Sequence, residues 1–142
     1  MSQTTEQEAR HLIASVNTRN VERVMALYAE DATFQDPSLD APIRGKKAIR
    51  DFFVGYFAAF PDWTMVVTKL VVSGGETYVV HSVRGTHMGP FTGTDGRSVA
   101  PTNRKFVQDQ LTRVVFDAAG KVQSLRAYGN PADLTRQLGL SN

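Results

Sequence analysis

Residues 49–63 have the sequence IRDFFVGYFAAFPDW, and this stretch marks the change of the chain from helix to strand. Apolar residues recur in it every three or four positions, the spacing of one helix face: Ile49, Phe52, Phe53, Tyr56, Phe57 and Phe60. Pro61 ends the predicted helix, because its ring and its missing N–H group do not fit a helix interior. Residues 63–72 are rich in β-branched side chains and predict a strand.

The elements on either side of this boundary complete the pattern. The same criteria predict helices over residues 9–16, 21–28 and 131–138, and strands over 32–36, 77–88, 105–116 and 121–128. The connection from Gly89 to Pro101 is rich in glycine and proline and is predicted to be irregular. This order predicts an α+β fold in which helices pack on one face of a strongly curved, mostly antiparallel sheet.

Composition narrows the class of protein. The 142 residues correspond to one domain, residues 1–142, with 42% hydrophobic and 21% charged residues. Cysteine is absent, which excludes disulfides, thiol catalysis and cysteine-ligated metals. The 16 basic and 14 acidic residues give a net charge of +2 without a basic cluster, so we expect no nucleic-acid partner. No apolar run is long enough for a membrane span and the first residues are polar, so we expect a cytoplasmic protein without a membrane partner.

Two histidines interrupt the predicted strand over residues 77–88. Because side chains alternate along a strand, Val79, His81, Val83, Gly85 and His87 share one face. An apolar sheet face normally points inward, so His81 and His87 are candidates for an interior cavity. Imidazole titrates near neutral pH and can exchange a proton there. The alternative is a histidine held by structural hydrogen bonds.

Carboxyl and amide groups supply further candidates. Asp36 ends an apolar strand before Pro37, where poor solvation would raise its pKa and make it a base, although an aspartate in this position is also typical of a turn. In the strand over residues 105–116, either Asp109 faces inward, or Gln108 and Gln110 do and orient a ligand carbonyl. A bulge would exchange the two faces, and a solvated strand face is the third alternative.

Several short motifs follow one another along nearly the whole chain: residues 28–37, 44–45, 60–63, 85–91, 101–105 and 136–140. Their order resembles the nuclear transport factor 2-like superfamily, and within it the SnoaL-like polyketide cyclase and ketosteroid-isomerase-like group. The resemblance implies a cone-shaped sheet wrapped around helices and enclosing an apolar pocket. Aromatic side chains are then candidates for binding a substrate, although ordinary core packing explains each of them as well: Tyr28, Phe53, Tyr56, Phe57 and Trp63.

The chain departs from this family at residues 128–131, which are Tyr-Gly-Asn-Pro. The family often has Tyr-x-Asp-Pro here, and in cyclase members an aspartate of this region transfers the proton. Asn130 has no titratable group, so the resemblance implies either binding without chemistry or a base elsewhere. The candidates for that base are Asp36, Asp109, His81 and His87, and the candidate donors to an enolate oxygen are Gln108, Tyr128 and Asn130.

The expected function is cofactor-free proton abstraction next to the carbonyl of a polyketide- or steroid-like ketone, with no metal site. The alternatives are a non-catalytic binder of a small hydrophobic ligand and an epoxide-hydrolase- or dehydratase-like member of the same fold. Sheets of this kind often pair through their open face. We therefore expect a homodimer, with Tyr78, Val80 and Val115 as apolar contacts.

Overall fold

The part of the chain that the structure describes, residues 4–92 and 97–140, contains four helices and eight strands in a computed structural model. The helices are α1 (Thr5–Val16), α2 (Val21–Met25), α3 (Lys46–Ala59) and α4 (Pro131–Gln137). The strands are β1 (Tyr28–Gln35), β2 (Ile43–Arg44), β3 (Thr64–Ser73), β4 (Glu76–Thr86), β5 (Phe91–Thr92), β6 (Ser98–Val99), β7 (Lys105–Phe116) and β8 (Val122–Tyr128). No helix in these ranges combines the length and hydrophobicity that crossing a membrane requires.

Six of the strands form one curved sheet in the order β2-β1-β8-β7-β4-β3. Neighbouring strands are antiparallel except β1 and β8, which are parallel, while β5 and β6 pair separately. The register of β3 against β4 shifts between Val67 and Lys69, an irregularity of the kind that bends a strand. The α+β class and the curved, mostly antiparallel sheet are confirmed.

Helix α3 packs its aromatic face against the concave side of the sheet. The ring of Phe53 lies 5.1 Å from that of Phe34 in β1, and the ring of Phe60 lies 5.1 Å from that of Phe106 in β7. Helix α3 ends at Ala59, two residues before Pro61, as the sequence predicts. Helix α1 covers the same side of the sheet with its buried residues Leu12 and Val16. The core therefore lies between these helices and the sheet.

Two predicted boundaries change. The helical stripe over residues 21–28 is divided, because α2 ends at Met25 and Tyr28 begins β1 by pairing with Val122 of β8. The connection from Gly89 to Pro101 contains the short strands β5 and β6, although it was predicted to be irregular; residues 93–96 lie outside the described ranges. Pairing with a distant strand decides both segments, and local periodicity does not report it.

The backbone at Gly89 lies against the end of α3. Its N–H donates to the carbonyl of Ala59 at 3.1 Å, and a Cβ atom added at Gly89 would lie 2.3 Å from the carbonyl oxygen of Ala58. The contact requires glycine, because the atom it would meet belongs to backbone that cannot rotate away. This contact fixes the segment after β4 to the helix that forms the centre of the core.

We expect Gly89→Ala to lower the free energy of unfolding by about 1–3 kcal/mol, because backbone must move to admit the methyl group. Gly55→Ala is the matched control, since Gly55 lies inside α3 with no atom within 4 Å of the added Cβ. It is expected to raise stability by roughly 0.5–1 kcal/mol through higher helix propensity. Urea unfolding followed by circular dichroism measures both, and equal effects would contradict the close approach at Gly89.

Candidate active site

A cavity lies between α1, α3 and the concave face of the sheet. It offers about 70 Å³ of space that the centre of a water molecule can occupy, and its lining is mostly apolar. Aromatic side chains from β1, α3 and the start of β3 form much of the wall, among them Tyr28, Phe53, Tyr56 and Trp63. Four polar side chains interrupt the lining: Asp36, His81, Gln110 and Thr112.

Strand register explains how these polar groups meet. Gln35 of β1 lies beside Arg126 of β8, so one further residue along each strand places Asp36 beside Ala127. Ala127 in turn pairs with Thr112 of β7. The next inward-facing pair on the neighbouring strands is Gln110 of β7 with His81 of β4. The polar groups therefore come from β4, from β7 and from the residue after β1, and they share one face of the sheet.

Asp36 combines a carboxyl group with an apolar setting. The side chain is partly buried and lines the cavity. Its Oδ1 accepts hydrogen bonds from the Ser38 hydroxyl at 2.6 Å and from the Ser38 N–H at 2.9 Å. Burial raises the pKa of Asp36 to about 6, although the two bonds from Ser38 act in the opposite direction. At neutral pH the group is mostly ionised and has the pKa of a useful general base.

Tyr56 places a hydroxyl group near this carboxyl. Its ring stacks on Phe52 at 5.4 Å and lies 6.2 Å from the ring of Trp63. Burial, together with the negative charge of Asp36, raises the pKa of Tyr56, and the nearby indole of Trp63 offsets part of this rise. The hydroxyl therefore stays protonated and available as a donor. The Nε1 atom of Trp63 is buried and has no hydrogen-bond partner within the described residues.

His81 is an uncharged polar group in the cavity wall. It is 3% exposed, and its Nε2 lies 2.7 Å from the Oγ1 of Thr112. Burial lowers the pKa of His81 to about 4, with a smaller opposing effect from the backbone of Ser82. The imidazole is therefore neutral at physiological pH. It can form hydrogen bonds, but it is a weak base.

A chain of amide hydrogen bonds orients Gln110. Gln108 Nε2 donates to the backbone carbonyl of Asn130 at 2.6 Å, and Gln110 Nε2 donates to Gln108 Oε1 at 2.9 Å. A backbone carbonyl only accepts, so Gln108 must turn its NH₂ group toward Asn130 and its oxygen toward Gln110. Gln108, a candidate donor, lies outside the cavity lining and holds Gln110 in position. Gln110 presents the remaining part of its amide to the cavity.

The strand parity left open by the sequence is decided by β7, which pairs with β4 without a bulge from residue 105 to 115. Gln108 is buried, and Asp109 is exposed on the opposite face with Val107 and Leu111. This corrects the expectation that Asp109 acts as a base in the cavity, because its carboxyl lies on the far side of the sheet.

Three further candidates lie outside the cavity lining. His87 is fully buried, but its ring packs 5.6 Å from that of Phe60 and its Nδ1 lies 3.1 Å from the Oγ1 of Thr102. Tyr128 is 43% exposed on the open face of the sheet, with the guanidinium of Arg126 4.5 Å from its ring centre. The side chain of Asn130 accepts from the N–H of Ala132 and begins α4. These placements correct the expectations that His87 is a candidate base in the cavity and that Tyr128 and Asn130 donate to an enolate oxygen there.

Phe57 and Thr112 are two further residues whose positions differ from the expectation. Phe57 is buried outside the cavity lining and supports Phe53 and Trp63 at ring distances of 5.4 and 6.0 Å. Thr112 was not among the predicted site residues, although it is buried beside His81. Its parity with Gln108 and Gln110 in one strand was the signal that could have found it.

Comparison with known proteins identifies the family. The SnoaL-like domain pattern matches residues 9–125. The chain belongs to the SnoaL-like domain family. Over 111 residues it is 31% identical to the steroid Delta-isomerase of Nocardioides simplex. The matched region covers 78% of this chain and 77% of that protein.

Solved structures of other proteins show the same fold. IdmH of Streptomyces antibioticus, proposed to be a polyketide cyclase, is 25% identical with a TM-score of 0.76 over 96% of this chain and 99% of IdmH. A protein of Catenulispora acidiphila with a ketosteroid isomerase-like fold, solved with trimethylamine, is 19% identical with a TM-score of 0.77 over 97% and 96% of the two chains. The expected SnoaL-like family and its ketosteroid isomerase-like fold are confirmed.

Asp36 should weaken the fold where it is ionised. Its folded pKa of about 6 exceeds the ordinary value of 3.8, so the folded state holds the proton more tightly and stability falls as pH rises from about 4 to 6. We expect Asp36→Asn to raise the free energy of unfolding at pH 8 by on the order of 1–3 kcal/mol and much less at pH 3.5.

Denaturant unfolding at the two pH values measures this difference. Asparagine retains an oxygen that can accept from Ser38, so the substitution removes mainly the charge. Asp109→Asn is the matched control on the exposed face and should show little difference between the two pH values. A gain for Asp36→Asn that is the same at both pH values would contradict the raised pKa.

Proposed function

We propose that this SnoaL-like protein is a cofactor-independent enzyme of the isomerase or cyclase type. It abstracts a proton next to the carbonyl group of an apolar, polyketide- or steroid-like ketone. The observation that carries the proposal is the partly buried carboxyl of Asp36 in the wall of an apolar cavity, with its pKa raised to about 6. Among the described residues that line this cavity, no other has a carboxyl group.

The reaction starts when the Asp36 carboxylate takes a proton from the carbon next to the ketone. The electron pair of the C–H bond moves into the carbonyl, and negative charge develops on its oxygen. The hydroxyl of Tyr56, which is close enough to respond to the charge of Asp36, and the N–H of the adjacent Trp63 lie in the same wall, and they are assigned to this oxygen. Donors held in place for a developing charge contribute on the order of 10²–10³-fold each to the rate.

The second half of the reaction returns the proton. In an isomerisation, the protonated Asp36 gives it to a different carbon of the same enolate, so that a double bond moves and no atom is lost. In a cyclisation, the enolate carbon attacks a second carbonyl of the substrate, and the new alkoxide takes the proton. Neutral His81 is not assigned the role of base, since its pKa of about 4 makes it a poorer base than Asp36.

The similarities noted above support this class of reaction. The curated relative is a steroid Delta-isomerase, whose name describes the movement of a double bond. IdmH is proposed to be a polyketide cyclase, and cyclisation is the second of the two outcomes described above. Both outcomes share the proton abstraction assigned to Asp36, and the choice between them depends on the substrate.

We expect the protein to convert a β,γ-unsaturated ketosteroid into its conjugated isomer, followed by ultraviolet absorbance, or to exchange the α-protons of 2-tetralone for deuterium, followed by mass spectrometry. Asp36→Asn is expected to lower kcat by about 10²–10⁴-fold, because it removes the base while retaining its shape. The exposed control Asp109→Asn should keep the wild-type rate.

The pH dependence provides a second readout in the same assay. Only ionised Asp36 accepts a proton, so kcat/KM should rise with pH to a plateau, with an inflection near the pKa of about 6. A rate that survives Asp36→Asn would overturn the assignment of the base. If the protein binds these ketones without converting either of them, the non-catalytic alternative is favoured. The asparagine at position 130 also supports that alternative, because it has no titratable group.

We also propose that two copies of the chain pair through the open face of the sheet. This face exposes Val80, Leu111 and Tyr128, and it carries both charge signs in Arg84 and Asp109, so that a two-fold arrangement can match them. A second copy buries these side chains and the rows between them.

Light scattering at low protein concentration is expected to give the mass of a dimer. Val80→Glu should shift it toward the monomer, because it places a charge among apolar contacts. Val54→Glu is the matched control, an exposed valine on the outer side of α3, and should leave the mass unchanged. A monomeric wild-type protein would remove the proposal.

A further inference from the structure

We propose that the ligand of this cavity carries, besides its ketone, a hydroxyl group that is bound by His81 and Thr112 on the same sheet face as Asp36, with Thr112 two strands away. The inference rests on the proposed function for the place of the ketone, which lies beside Asp36. It adds a chemical requirement on the substrate, namely two oxygen-bearing groups separated by about two strand spacings.

The strand order supplies the separation of the two groups. Asp36 follows β1, Thr112 lies in β7, and Ala127 of β8 stands between them on the same face. Two strand spacings place the Cα atoms of Asp36 and Thr112 about 10 Å apart. The side chain of Ala127 between them is a single methyl group, which leaves room at this point for a ring of the ligand. The polar groups thus stand on one sheet face, on either side of a narrow apolar strip.

The pair formed by His81 and Thr112 keeps at least one unmatched hydrogen-bonding group whichever ring nitrogen holds the proton. If Nε2 holds it, Nε2 donates to Thr112 Oγ1, and both the hydroxyl proton of Thr112 and the bare Nδ1 remain unmatched. If Nδ1 holds it, Thr112 donates to Nε2, and the Nδ1 proton remains unmatched. In both cases the deficit is buried, since His81 is 3% exposed and Thr112 5%.

A hydroxyl group of the ligand corrects this deficit best. A buried polar group without a partner is unfavourable, and natural proteins rarely leave one in place. A hydroxyl both donates and accepts, so it matches the pair in either proton arrangement, whereas a carbonyl only accepts. The uncharged state of the imidazole favours a neutral ligand group of this kind over an anion or a cation.

The test compares two ketones that differ in one oxygen, 2-tetralone and 6-hydroxy-2-tetralone. Their dissociation constants are measured by calorimetry on the wild-type chain, His81→Leu, Thr112→Val and Asp36→Asn. The wild-type chain should bind the hydroxyketone between about 2-fold and 10-fold more tightly, as expected for one net hydrogen bond. His81→Leu and Thr112→Val should abolish this preference, and His81→Gln, which retains a donor and an acceptor, should restore part of it.

Asp36→Asn separates this inference from the proposed reaction. It should keep the preference for the hydroxyketone while losing deuterium exchange, because the two groups of residues act on different parts of the ligand. A preference without exchange in the wild-type chain would sink the reaction and leave the hydroxyl site standing. The hydroxyl site would be overturned by equal affinity for the two ketones or by no binding of either. It would also be overturned by a preference that persists in both folded variants, His81→Leu and Thr112→Val. Water would then be the partner of His81 and Thr112.

Discussion

The packing of a broad aromatic helix face into the concave side of a curved sheet is the constraint on which the rest of this structure depends. Helix α3 brings more ring surface than one stripe of contacts needs, and the rings stack on one another as well as on the sheet. On the sheet that faces the helix, Ala127 has only a methyl side chain, and polar side chains lie on the neighbouring strands. The two surfaces therefore leave a hollow, and that hollow is lined by groups with incomplete hydrogen bonding.

Poor solvation in this hollow acts on its acid and its base in opposite directions. It raises the pKa of the Asp36 carboxyl and lowers that of the His81 imidazole, because in both cases the charged form is disfavoured. One group becomes a base suited to neutral pH, and the other becomes a neutral hydrogen-bonding group. The same burial that creates this difference also destabilises the fold where Asp36 is charged, a relation that is typical of active sites.

Local patterns were enough to predict much of the architecture. The three- and four-residue spacing before Pro61 predicted α3, and the alternation in residues 77–88 placed His81 and His87 on the inner face, where both side chains are buried. Patterns failed where a distant strand decides the outcome: Tyr28 fits a helical stripe but pairs in β1, and the outward direction of Asp109 depends on the unbroken register of β7 with β4. The exposed position of Tyr128 and the capping role of Asn130 likewise depend on neighbours far away in the chain.

The amino-acid sequence by itself determined the class of fold, the family and the short set of polar residues from which a site can be built, because periodicity and motif order are local properties. The tertiary structure decided which of those residues meet. It brought Asp36 close to Tyr56, and it brought His81 within hydrogen-bond distance of Thr112. It also packed His87 against Phe60 and placed Asp109 on the opposite face of the sheet. The reason is physical: solvation and hydrogen bonding depend on the groups that surround a side chain in space, and strand register and helix packing bring those groups together.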